Sequence, residues 1–206
     1  MSPRTVSLAL ITLLVILGHP GTTESQEWNT PPGLQLDPSL CGGQGGGLAL
    51  WTDERVPGRT RLYWARLAGS WPSVHAVPLT DDPAVELRGA LAADPPWGLA
   101  VWEAWTETGP RLHAVELPDP LWPSTVNPTP VTPGGWGIWR PAVAVAGSVA
   151  VLIWEDERDA PGDLYFARWD RGRGLRDAGG IPLAVGASEQ RWARVTRGGD
   201  GFLAVW

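Results

Sequence analysis

The amino-acid sequence predicts an all-β fold, a β-propeller-like array of four-stranded antiparallel blades, about three and a half in number and incomplete or open. Three observations carry this expectation. An apolar run ending in tryptophan recurs as LALW at Trp51, LAVW at Trp102, LIW at Trp154 and LAVW at Trp206, at spacings of 51, 52 and 52 residues. A Pro-apolar pair keeps the same period at Pro78-Leu79, Pro130-Val131 and Pro182-Leu183. Internal similarity at a period of about 50 residues marks an array of like supersecondary units. Finally, 26 Gly and 21 Pro call for many turns, while 14 Trp supply large apolar packing units.

Met1 to Ser25 stand apart from the array. Arg4 precedes the apolar stretch Val6 to Leu17, in which only Ser7 and Thr12 are polar. That is the pattern of a secretory signal peptide, and it is short for a membrane-spanning helix of about 20 residues. The chain is therefore expected to be exported, secreted or held at the cell surface, without membrane insertion of its mature part. Residues 26–36 form a Pro-containing lead-in.

The blades are expected over about 37–80, 84–132 and 140–184, with a partial fourth over 190–206. Asp37 to Trp51 aligns without gaps on Arg140 to Trp154, so that Pro38 falls on Pro141 and Cys41 on Ala144. Within a blade the first strand comes from Ser39 to Gly43, Leu87 to Ala92, Ala142 to Ala146 or Ala193 to Arg197. The second is the Trp-terminated run, whose continuous apolar character suits a strand covered on both faces. A polar turn such as EDERDAPGD then leads to a third strand such as DLYFARW, and the Pro-apolar pair makes the fourth. Four short strands with hairpin-length links are one propeller blade. Trp51, Trp102, Trp154 and Trp206 are expected to fill the space between blades. Each would contribute about 4–6 kcal/mol as an upper bound, from about 150–250 Å² of buried surface.

Composition excludes some function classes. The net charge is −6, and all 16 basic residues are Arg. An acidic chain without a dense basic run is a poor partner for nucleic acid. Cys41 is the only cysteine, so no intramolecular disulfide forms, and its alignment with Ala144 marks it as a packed small residue.

The runs WTDER with RLYWAR and WEDER with DLYFAR resemble the blade repeat of secreted bacterial β-propeller repeat proteins, over Asp37 to Trp206. The resemblance implies an extracellular or surface scaffold with no defined reaction. Blade two departs from the pattern, with Ala104 and Thr106 for the Asp and Arg, and His113 for the Tyr.

Four charged residues belong to the repeat itself. Asp53 with Arg55, and Asp156 with Arg158, lie two apart and share one side of a strand end, where they are expected to clamp the hairpin rather than contact a ligand. Asp156, Asp159 and Asp163 share a loop, but the equivalent loop of the first blade lacks such a set, so no metal and no cofactor are expected. Tyr63 and Tyr165 hold equivalent positions, which argues against a unique catalytic Tyr, and no nucleophile or phosphate-loop motif is present. The expected function is thus a non-enzymatic interaction scaffold for a protein or glycan partner. The alternative is a carbohydrate-binding propeller that uses Trp105, Trp136 and Trp139, which lie outside the repeat position. A sialidase-like glycosidase stands third. The partial last blade leads to an expectation of self-association through its open strand.

Overall fold

The computed structural model describes residues 33–43, 46–67, 76–117, 124–159 and 162–206. The leader Met1 to Ser25 and most of the lead-in lie outside the described residues. Within them the chain is all-β and antiparallel throughout, without a helix.

The first sheet has the order β1-β2-β3-β4, from Gln35–Gly43, Gly46–Val56, Arg59–Leu67 and Val77–Pro78. The second repeats it as β5-β6-β7-β8, from Val85–Asp94, Trp97–Thr106, Gly109–Leu117 and Thr129–Pro130. In the third, β9 (Ile138–Ala146), β10 (Val149–Asp156) and β11 (Asp163–Asp170) follow in order, and β11 pairs on its far side with both β12 (Gly174–Leu175) and β13 (Ile181–Ala184). A fourth sheet holds β14 (Arg194–Gly198) and β15 (Gly201–Val205). β1 begins at Gln35, inside the lead-in.

Sequence explains the second strands. β6 is buried along its first eight residues, Trp97 to Ala104, because a sheet lies on each of its faces. The first strands β1, β5, β9 and β14 pack side by side in sequence order, which sets the four sheets in a radial series. The core between the first two sheets joins Leu48, Leu50, Leu62 and Trp64 to Ala100, Trp102 and Val115. That between the second and third joins Leu99, Val101 and Leu112 to Leu152, Trp154 and Tyr165. Between the third and fourth it shrinks to Ile153, Leu164 and Ala193 with half-buried neighbours.

The repeat tryptophans differ accordingly. Trp102 and Trp154 are fully buried between sheets, Trp51 is half-buried on the outer face of the first sheet, and Trp206 is 56% exposed. A Trp fills an inter-blade space only where a sheet lies on its side, and among the described residues no sheet packs on Trp206, whose indole N–H donates to Gln190 Oε1 at 2.9 Å. Gly180 shows how closely Trp154 is packed. It lies at φ +83°, and a Cβ there would overlap the far edge of the Trp154 ring.

Candidate functional site

A residue in the left-handed region lies near the start of each first strand: Asp37 (φ 50°), Arg88 (φ 46°), Arg140 (φ 51°) and Trp192 (φ 62°). Their spacings are 51, 52 and 52 residues, the period of the repeat. Non-glycine residues rarely hold this conformation, and when they do it is where a strand is re-aimed. In the first two sheets the ladder shifts register at this point, between Leu36 and Ser39 and between Leu87 and Ala90. The four corners lie at the same end of neighbouring first strands, so their side chains form one rim beside the axis of the array. Asp37, Arg88 and Trp192 are exposed, and Arg140 is half-buried.

Buried carboxylates hold the rim. Glu103 follows Trp102 on β6, and Glu155 follows Trp154 on β10. Glu103 Oε2 accepts from Arg88 Nη1 at 2.7 Å, and its Oε1 accepts from the Arg140 backbone N–H at 2.9 Å. Glu155 repeats the pattern one blade on, accepting from Arg140 Nη1 at 2.7 Å and from the Trp192 N–H at 2.9 Å. The result is an alternating belt, Arg88–Glu103–Arg140–Glu155–Trp192, that crosses three sheets. Burial pushes the Glu103 carboxyl up, and the Arg140 N–H and Arg88 oppose that shift. Thr52 is the equivalent residue of the first sheet; it is buried, and its Oγ1 has no partner.

Aromatic faces flank the belt. The Arg140 guanidinium lies 4.1 Å from the centre of the Trp192 ring, which is 60% exposed. Arg88 lies 5.9 Å from the Trp139 ring, and Trp139 packs on Trp105 at 5.5 Å. Trp105 is 40% exposed. Trp136 is placed elsewhere, half-buried beneath Arg158 at 5.2 Å, with its Nε1 buried and unpartnered. The structure therefore brings Trp105 and Trp139 to the rim and leaves Trp136 away from it. Arg88, Arg140 and Trp192 escaped sequence reasoning, although their common period was visible in the sequence. Without the sheet register, two Arg and a Trp gave no reason to be compared.

The paired residues form a compact cluster behind the rim. Asp156 accepts from the Trp154 indole N–H at 2.8 Å and takes two guanidinium contacts from Arg158, at 2.9 and 2.6 Å. Arg158 in turn lies over the Tyr165 ring at 4.1 Å. Trp51, Asp53, Arg55 and Tyr63 repeat the arrangement with nearly the same distances. Tyr165 also donates to Asp159 at 2.6 Å, and burial pushes its hydroxyl up to about 12, with the Asp159 hydrogen bond acting the same way. Cys41 packs against the core of the first two sheets, where burial raises its thiol to about 11. A thiol held that far up is not a nucleophile at neutral pH. No group of three or more His, Cys, Asp or Glu able to hold a metal ion occurs among the described residues. No described helix is long and apolar enough to cross a membrane.

The class that the fold defines is a propeller-like array of antiparallel sheets, with the first-strand corners at one end. No protein-family model matches the sequence, and no curated protein matches it. Solved structures do match the fold. The α-L-arabinofuranosidase from Lactobacillus brevis aligns with a TM-score of 0.57 at 12% identity, over 86% of this chain and 67% of that one. A thermostable family-43 glycoside hydrolase aligns with a TM-score of 0.52 at 11% identity, over 81% of this chain and 62% of that one. This chain thus spans about two thirds of the length of these neighbours. At such identity the likeness concerns the fold, which agrees with a propeller-like array. Because these neighbours are glycoside hydrolases, the expectation of a non-enzymatic interaction scaffold, and with it that of a chain that is not an enzyme, is corrected. That expectation rested on the lack of a catalytic motif in linear order, whereas a propeller assembles its site from the ends of separate blades.

Proposed function

We propose that this chain is a glycoside hydrolase whose sugar-facing surface is the first-strand rim. One observation carries the reading: four equivalent left-handed corners place Asp37, Arg88, Arg140 and Trp192 at one end of the array, with an aromatic face beside the belt at either end. Aromatic faces stack on sugar rings, and guanidinium groups donate to ring hydroxyls.

Glycosidic hydrolysis uses two carboxyl groups, one on each side of the scissile bond. Asp37 is an exposed carboxylate on a corner. Glu157 is the second candidate, exposed at the tip beside the third sheet, where it and the Trp139 Nε1 crowd the same space above Gly137. Glu103 and Glu155 are buried behind the rim and position Arg88 and Arg140 rather than meet the substrate. The solved neighbours suggest the substrate class, a terminal α-L-arabinofuranosyl unit. Export through Met1 to Ser25 belongs to the same reading, since polymeric glycans lie outside the cell.

The test is turnover of 4-nitrophenyl α-L-arabinofuranoside. We expect Asp37→Asn and Glu157→Gln each to lower kcat by at least about a hundredfold, the scale of a lost acid-base group, with folding unchanged by circular dichroism. Wild-type protein that leaves this substrate and the matching xyloside untouched would overturn the proposal.

We further propose that the chain self-associates through its fourth sheet. Leu203, Val205 and Trp206 are 58%, 55% and 56% exposed there, and β15 pairs on one side only among the described residues. Self-association through this sheet covers both the apolar side chains and the strand edge.

A further inference from the structure

The second sheet departs from its sisters at one place, between the first and second sheets and on the opposite face from the rim carboxylates. In the first and third sheets the repeat Trp donates its indole N–H to an aspartate two residues on, at 2.8 Å in both. Ala104 holds that position in the second sheet. Trp102 is fully buried, His113 is 5% exposed, and Trp102 Nε1 and His113 Nδ1 both lack a partner. Their rings meet edge to face at 5.9 Å. Residues two apart on a strand, and residues directly opposite across a ladder, share a face. Trp102 lies opposite His113, and Ala104 opposite Arg111, so these four form one patch. Arg111 Nε is also buried without a partner, while its Nη2 donates to Thr108.

Buried donors without acceptors are rare, because each forgoes a bond it would make in water. Three unpartnered nitrogens in one patch, at the position where the sister sheets place a carboxylate, define the missing group. We propose that the second sheet binds a small carboxylate, of the size of formate or acetate, between Trp102, His113 and Arg111, in the place that Asp53 and Asp156 fill covalently elsewhere.

The charges around the patch are compatible with this. Glu86 is the other cross-strand neighbour of Ala104, but its carboxyl is committed to the Thr80 hydroxyl at 2.6 Å and the Leu62 N–H at 3.1 Å. Asp82 accepts from the Ala84 N–H. The sister patch on the third sheet already holds Asp156 and Asp159 beside the cation Arg158. An anion beside Arg111 therefore repeats a balance this fold sustains. The group to be replaced is the carboxylate of an aspartate side chain, as at Asp53 and Asp156, which limits the ligand to one or two carbons.

The experiment titrates the full chain with sodium formate at constant ionic strength. It follows the indole N–H resonances by heteronuclear NMR, with Trp102 assigned through Trp102→Phe. We expect a saturable shift of the Trp102 resonance with a Kd of about 1 mM, the scale open to a three-atom ligand, and no shift of Trp51 or Trp154. Formamide, of the same shape but uncharged, leaves the resonance in place, and butyrate is excluded by size. Ala104→Asp raises the Tm and abolishes the formate response. A Trp102 resonance that formate does not move, or that formamide or butyrate moves equally, overturns the proposal. The wild-type titration is decisive by itself even if Ala104→Asp does not fold.

Discussion

Asp156 is the most constrained side chain of the third sheet, since its two oxygens serve an indole, a backbone N–H and a guanidinium at once. Asp156→Ala strands the buried Trp154 Nε1 and an Arg158 only 20% exposed. We expect a loss of about 2–4 kcal/mol, read from the denaturant midpoint. Gly180→Ala both forces a side chain into the left-handed region and drives a methyl against Trp154. About 2–3 kcal/mol is the expected cost by the same measurement. Glu86 supplies a pH dependence. Burial pushes its carboxyl above the usual 4.5, with the Thr80 and Leu62 hydrogen bonds opposing. The native state then binds more protons than the unfolded chain above that pH, so stability is full below about 4.5 and falls as pH rises through the folded value. Glu86→Gln accepts the Leu62 N–H on its one oxygen and donates its amide N–H to the Thr80 hydroxyl, and thermal melts from pH 4 to 8 should show a flatter profile than wild type.

At the scale of the element, the blade period, the antiparallel hairpins and the short fourth strands at the Pro-apolar pairs were all legible in the sequence. Alternation, turn residues and repetition act over neighbouring residues, so they survive in linear order. The belt behind the rim was not legible, because each Glu accepts from its own blade's Arg and from the next blade's backbone. Glu103→Ala tests that link. It leaves the Arg140 N–H without its acceptor, and we expect amide exchange at Arg140 to speed up at least tenfold, while amides in the middle of β6 keep their protection. Trp105 and Trp139 were singled out for lying outside the repeat position, and the structure places them on β6 and β9. Their contact at 5.5 Å, and the approach of Arg88 to Trp139, follow from the packing of the second sheet on the third.

For the whole molecule, the small core between the third and fourth sheets sets where the array is weakest. The fourth sheet contributes little buried surface and carries Leu203, Val205 and Trp206 into solvent. Leu203→Lys places a charge on that exposed surface. If self-association runs through it, light scattering should show the apparent mass of wild type rising with concentration and that of the variant staying monomeric; identical behaviour would exclude this surface as the contact. From the sequence alone came the all-β class, the repeat period and the blade order, since these depend on local patterning that every copy restates. Tertiary structure alone decided which tryptophans are buried, which carboxylates meet which corners, and where the second sheet lacks a carboxylate its sisters possess. The links between blades join residues 37 apart in sequence, and only the stacking of sheets brings them within hydrogen-bonding distance.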